Sequence, residues 1–174
     1  NLPDDAIMWD PITHQWKKVP HGTQATSKVR YDLKFSSWHN GEKMDMNDIL
    51  YSLYFVMEWG VQTDENDKTF DVEFTSIASQ SVKTIIGIKV VDEDTIEVYV
   101  NYWHFDKDEI AEWASLWSSM PWEISAAMEQ AVLDGKVSFS RSGAISKNVN
   151  WISLIIPNDA QMIQNYLNEF HFYI

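Results

Sequence analysis

The chain has 174 residues, of which 45% are hydrophobic and 14% aromatic, enough apolar surface to build a core and to argue against intrinsic disorder. Its 13 Lys and Arg against 26 Asp and Glu leave a formal charge of −13, which removes the cationic footprint that nucleic acids and anionic membrane faces require. Cysteine is absent, which excludes a disulfide framework, a thiolate nucleophile and a Cys-ligated metal, and the longest apolar stretches, residues 84–91 and 151–157, fall far short of the roughly 20 residues of a membrane-spanning helix.

The length suits a single domain over residues 1–174. The chain opens Asn1-Leu2-Pro3 and closes on the apolar run Phe170-His171-Phe172-Tyr173-Ile174, ends expected of a fragment of a larger protein. Val29, Tyr31, Leu33 and Phe35 alternate with Arg30, Asp32 and Lys34, the period-two pattern of a half-buried strand over residues 28–36. Asn40-Gly41 then supplies two residues that tolerate positive φ, so the strand is expected to end in a tight turn.

Asp45 stands three residues before Asp48, a variant of the capping-box spacing. Ile49, Leu53, Val56 and Met57, with Leu50 and Tyr54 alongside, continue at helical spacing, which predicts a helix over 46–59 with Gly60 in the left-handed position after it. Residues 63–68 read as an acidic connector, and Phe70, Phe74, Ile77 and Ala78 predict a second helix over 70–80. Residues 84–91 and 95–101 are rich in Ile and Val around Asp92-Glu93-Asp94 and predict an antiparallel hairpin able to join the first strand.

From Asp106 onward Ile110, Trp113, Ala114 and Trp117 share one helical face. Pro121 opens a further helix carrying Ile124, Ala127, Met128, Ala131 and Val132 up to Gly135. A loop rich in Ser and Gly is expected over 138–146, and residues 151–156 are too short to classify by period. Asn158-Asp159 caps a last helix holding Met162, Ile163, Tyr166, Leu167 and Phe170.

Chemistry-bearing patterns are sparse. His14, His21, His39, His104 and His171 include no i, i+4 pair of the zinc-protease kind. Counted from Asp64, an EF-hand loop needs Gly at its sixth position and Glu at its twelfth, where this chain has Thr69 and Thr75. Arg141-Ser142-Gly143 is no nucleophile elbow, and no Gly-rich phosphate loop is present. Carboxylate pairs arise by chance among 26 acidic residues, so their abundance carries no information about a glycosidase site. Trp113 and Trp117, four apart, read as a core-packing stripe before they read as sugar-stacking platforms. No catalytic residue, metal ligand or cofactor is assigned, and the ligand-binding residues are left unassigned.

Trp38-His39-Asn40-Gly41-Glu42-Lys43-Met44-Asp45-Met46-Asn47-Asp48-Ile49-Leu50-Tyr51-Ser52-Leu53 resembles the signature of the family-5 extracellular solute-binding proteins, the peptide-binding components of ABC importers. Trp38, His39, Asn40, Gly41, Asp45, Asp48, Ile49, Tyr51, Ser52 and Leu53 match the family pattern, while Lys43 replaces the usual Pro and Met46 the usual Ala. The upstream strand and the run from Val90 to Val98 stand in the family's order. The resemblance implies part of one lobe of a two-lobed protein that closes on its ligand, with the matched residues structural and not ligand contacts. The expected fold is α+β, a mainly antiparallel sheet with covering helices. The expected function is capture of extracellular peptides or another small solute for import, without catalysis. The partners would be ABC permease subunits, at the cell surface. The rival from another class is a Trp-rich carbohydrate-binding module or glycosidase domain.

Overall fold

Asp45 and Asp48 set the start of the longest helix among the described residues. The computed structural model describes residues 1–169, and in it Asp45 is the N-cap of α1 (Met46–Gly60). Its carboxylate accepts from the Asn47 N–H at 2.8 Å, and the Asp48 carboxylate reaches back to the Asp45 N–H at 3.0 Å, a reciprocal capping box that satisfies donors the helix itself cannot. The preceding turn is closed by the Gly41 N–H donating to the Trp38 carbonyl and the Trp38 N–H donating to that of Glu42. Only Gly41 of the Asn-Gly pair takes positive φ, at +92°.

The sheet has the order β2-β1-β4-β5-β3 and is antiparallel throughout, built from β1 (Ile7–Asp10), β2 (Gln15–Lys18), β3 (Ser27–Asp32), β4 (Ile85–Val90) and β5 (Thr95–Val100). The fold is therefore α+β, with the expected hairpin β4–β5 at its centre and the expected first strand paired to β5. β3 is shorter than its alternation suggested. Its ladder ends at Asp32 because β5 begins opposite at Thr95, although Leu33 and Phe35 keep their inward faces on the core. The N-terminal hairpin β1–β2 had no sequence expectation; its four-residue strands show no alternation, and the Asp10 carboxylate organises its turn by accepting from Ile12 N–H and Thr13 Oγ1.

Alternation along β5 sends Ile96, Val98 and Val100 to one face and Tyr99 to the other. The first face meets Ile49, Leu53 and Met57 of α1; the second is covered by Leu2 and Ala6. α1 is apolar on its opposite side as well, where Phe55 and Trp59 join a second core with Ala127, Ala131 and Val132 of α4 (Trp122–Leu133) and Ile163 of α6 (Pro157–Glu169). A helix apolar on two faces belongs between two layers. Gly60 is the last residue of α1 and does not occupy the left-handed position expected of it: a Cβ there would lie 2.1 Å from Ala78 Cβ, so the glycine permits close approach of α2 (Thr75–Thr84).

Four further expectations are corrected. The second helix begins later, as a single 3-10 turn at Val72–Phe74 leading into α2. α3 spans Lys107–Trp113 and stops there, with the Ser115 hydroxyl donating to the Glu112 carbonyl, so Trp117 lies beyond the helix and no stripe joins it to Trp113. Pro121 is the N-cap of α4 and not its first helical residue. The expected loop over 138–146 contains β6 (Val137–Ser138) and α5 (Arg141–Lys147), capped by the Ser140 side chain accepting from the Gly143 N–H and ended by Asn148 in the left-handed region. β6 pairs in parallel with β7 (Asn150–Trp151). Phe170, expected on the last helix, lies outside the described residues. Among those residues the chain has six α-helices, and none is long and apolar enough to cross a membrane.

Candidate functional site

A groove of about 420 Å³ opens between α1, α4 and the segment that joins α3 to α4. α1 contributes Tyr51, Ser52, Phe55 and Val56 to one wall. The segment between α3 and α4 contributes Trp117, Ser118, Ser119 and Met120, and α4 itself contributes Ser125 and Met128. Phe74, Phe139, Trp151 and Ile152 close the remaining side. Phe55, Phe74 and Phe139 meet edge to face at 5.1 to 6.0 Å, a rigid aromatic base continued inward by Trp59. Trp117 and Trp151 stand at the opening, 73% and 59% exposed.

Behind Tyr51 lies a buried carboxylate that sequence reasoning did not find. Glu129 of α4 accepts from the Tyr51 hydroxyl at 2.5 Å, from Trp59 Nε1 at 3.1 Å and from the Tyr54 hydroxyl. Burial pushes its pKa up, while these donors pull the other way. The two tyrosine hydroxyls are in turn held far above their ordinary pKa, first by desolvation and then by the Glu129 charge. The signal for Glu129 was indirect: Tyr51, Tyr54 and Trp59 place three donors on one helix that must find an acceptor once buried.

A second buried carboxylate, Glu58, ties α1 to the N-terminal hairpin. It accepts from Trp9 Nε1 at 2.7 Å and Thr69 Oγ1 at 2.9 Å, and its Oε1 lies 2.6 Å from His14 Nδ1. Trp9 also packs its ring edge-on against Tyr54, so the two carboxylate centres are bridged by one aromatic contact. Both are filled by donors and face inward, which leaves neither available as an acid or base to the groove.

The segment from Trp38 to Met44 sits beside the groove. Trp38, His39, Asn40 and Met44 line a second hollow of about 490 Å³ that shares Ser119 and Met120 with it. Trp38 Nε1 donates to Asp48 at 3.3 Å, and the Asn40 side chain is engaged with Glu42. Of the other tryptophans, Trp113 stacks on Tyr102 at 4.8 Å and Trp103 is exposed and does not line the groove. The acidic connector folds around Asp67, whose carboxylate accepts from the backbone and hydroxyl groups of Thr63 and Thr69. Among the described residues no cluster of three or more His, Asp or Glu side chains is arranged to hold a metal ion.

Compared with protein-family models the chain matches none, and no curated protein matches it either.

Proposed function

We propose that this chain forms part of one lobe of a solute-binding component of an ABC importer, a protein that captures extracellular peptides, or another small solute, between two lobes without transforming them. The supporting observation is the conformation of the segment from Trp38 to Leu53: its matched residues form a glycine turn and a reciprocally capped helix that is central to the fold. Trp38, Gly41, Asp45, Asp48, Ile49 and Leu53 thereby hold the turn, the cap and the core face of α1, which supports the resemblance. In this reading the intact protein works at the cell surface, anchored near its permease subunits, and ligand shifts an open–closed equilibrium by touching both lobes.

The test is a calorimetric titration of the intact polypeptide with tri- to pentapeptides, alongside small-angle scattering. Saturable binding accompanied by a smaller radius of gyration is expected. Binding of oligosaccharides in place of peptides would overturn the reading in favour of the carbohydrate-binding rival, which draws on one specific observation: Trp117 and Trp151 present exposed indoles at the groove opening. Reading the parent open reading frame for an export signal and a neighbouring permease is an independent check.

A further inference from the structure

We propose that the groove between α1 and α4 binds an uncharged aromatic group, the side chain of an aromatic residue in a peptide; the peptide part of this statement rests on the function proposed above. The volume of about 420 Å³ falls within the usual span of roughly 300 to 1,000 Å³ for small-ligand sites. The chemistry of the walls selects the occupant.

Among the described residues none of the lining side chains is charged, in a chain that carries 13 basic and 26 acidic residues. An ionic ligand would lose its hydration there and gain no counter-charge. Glu129 does not alter this, because its carboxylate lies behind Tyr51 and already accepts three donors. An uncharged occupant is therefore favoured.

Two further observations separate an aromatic occupant from a sugar. Sugar sites set a stacking ring beside a dense array of amide, carboxylate or guanidinium partners, because each buried hydroxyl left without a partner costs binding energy. Among the described residues this groove has no Asp, Glu, Asn, Gln, Arg or Lys in its lining, and its side-chain polar groups besides Tyr51 are serine hydroxyls and the two indole N–H groups. Ser52 and Ser118 already donate to the carbonyls of Ile49 and Met120. The apolar lining suits a flat ring instead: the edge-to-face phenylalanine base accepts a further ring edge, and Met120 and Met128 supply adaptable sulfur–aromatic contact. The two indoles at the opening add stacking surfaces that the protein's own core does not use.

Fluorine NMR of the full polypeptide labelled with 5-fluorotryptophan reads the site directly, with the Trp117 and Trp151 resonances assigned by their loss in W117A and W151A. N-acetyl-tyrosinamide is expected to shift both resonances saturably, and either substitution to weaken that binding by about fivefold or more. N-acetyl-lysinamide and maltotriose are expected to leave both resonances in place. Equal or larger shifts with the lysine amide or the trisaccharide, or no shift with the tyrosine amide up to its solubility limit, would overturn the assignment. Tri-alanine and Ala-Tyr-Ala, titrated in parallel by calorimetry, keep the two proposals apart. Equal affinity for both removes the aromatic site and leaves the peptide function standing, whereas response to the tyrosine amide with neither peptide bound removes the peptide function and leaves the aromatic site.

Discussion

The amide N–H of Trp122, at the first position of α4, donates at 3.0 Å to Oδ1 of Asp48 in the first turn of α1. The other oxygen of the same buried carboxylate accepts from the Asp45 N–H and from Trp38 Nε1. One side chain thus joins the turn, the start of α1 and the start of α4, and it fixes the two helices that wall the groove.

Asp48→Ala removes the acceptor of all three donors and is expected to cost about 3 kcal/mol or more in urea unfolding. Asp48→Asn, which keeps one carbonyl acceptor, should lose less. Asp45→Ala interrupts only the local cap and should cost about 0.5 to 2 kcal/mol. Equal losses for Asp45→Ala and Asp48→Ala would mean that the link to α4 adds nothing.

Two glycines are required for different reasons, and a pair of alanine substitutions separates them. Gly41 has φ of +92° with no atom near its missing Cβ, so Gly41→Ala meets backbone strain alone, about 1 to 2 kcal/mol. Gly60→Ala places a methyl 2.1 Å from Ala78 Cβ and should cost about 1 to 3 kcal/mol by overpacking. Ala78→Gly should partly rescue Gly60→Ala and leave Gly41→Ala unimproved; a thermal-unfolding double-mutant cycle showing strict additivity at 60 and 78 would refute the close approach.

Glu129 gives a pH dependence of defined sign. Burial raises its folded-state pKa above the unfolded one, so the folded chain holds the proton more tightly. The resulting stabilisation is complete below the ordinary carboxylate range and is lost as pH rises through the raised value. Half-buried Asp10, whose hydrogen bonds from Lys17 and Thr13 hold its pKa at about 2, acts with the opposite sign and below that window. The difference in unfolding free energy between the parent and Glu129→Gln, followed by denaturant titration across pH 4 to 8, should therefore change in favour of the Gln variant as pH rises. A pH-independent difference would show that Glu129 has the same proton affinity folded and unfolded.

The tryptophans after β5 divide by burial. Trp113→Ala gives up half-buried stacking on Tyr102 and should lower the melting temperature measurably. Trp117→Ala acts on a 73% exposed side chain and should change stability by no more than about 0.5 kcal/mol. The reverse order of the two effects would restore the core stripe that the periodicity suggested.

Local physics was legible in the residues. The alternation of β3, the turn at Gly41, the Asp45–Asp48 cap, the β4–β5 hairpin and the periodicity of α4 and α6 are all written within a few positions of one another, because propensity, capping and face patterning are short-range. Tertiary structure alone decided where those elements stop and what they leave open. β3 ends where β5 begins, and Gly60 answers to Ala78 across a helix interface. Glu129 becomes an acceptor only when α1 brings Tyr51, Tyr54 and Trp59 to it, and the groove exists only because α1, α4 and the segment bearing Trp117 converge. Such contacts depend on partners beyond the reach of any helical or strand repeat, whose identity no local pattern encodes.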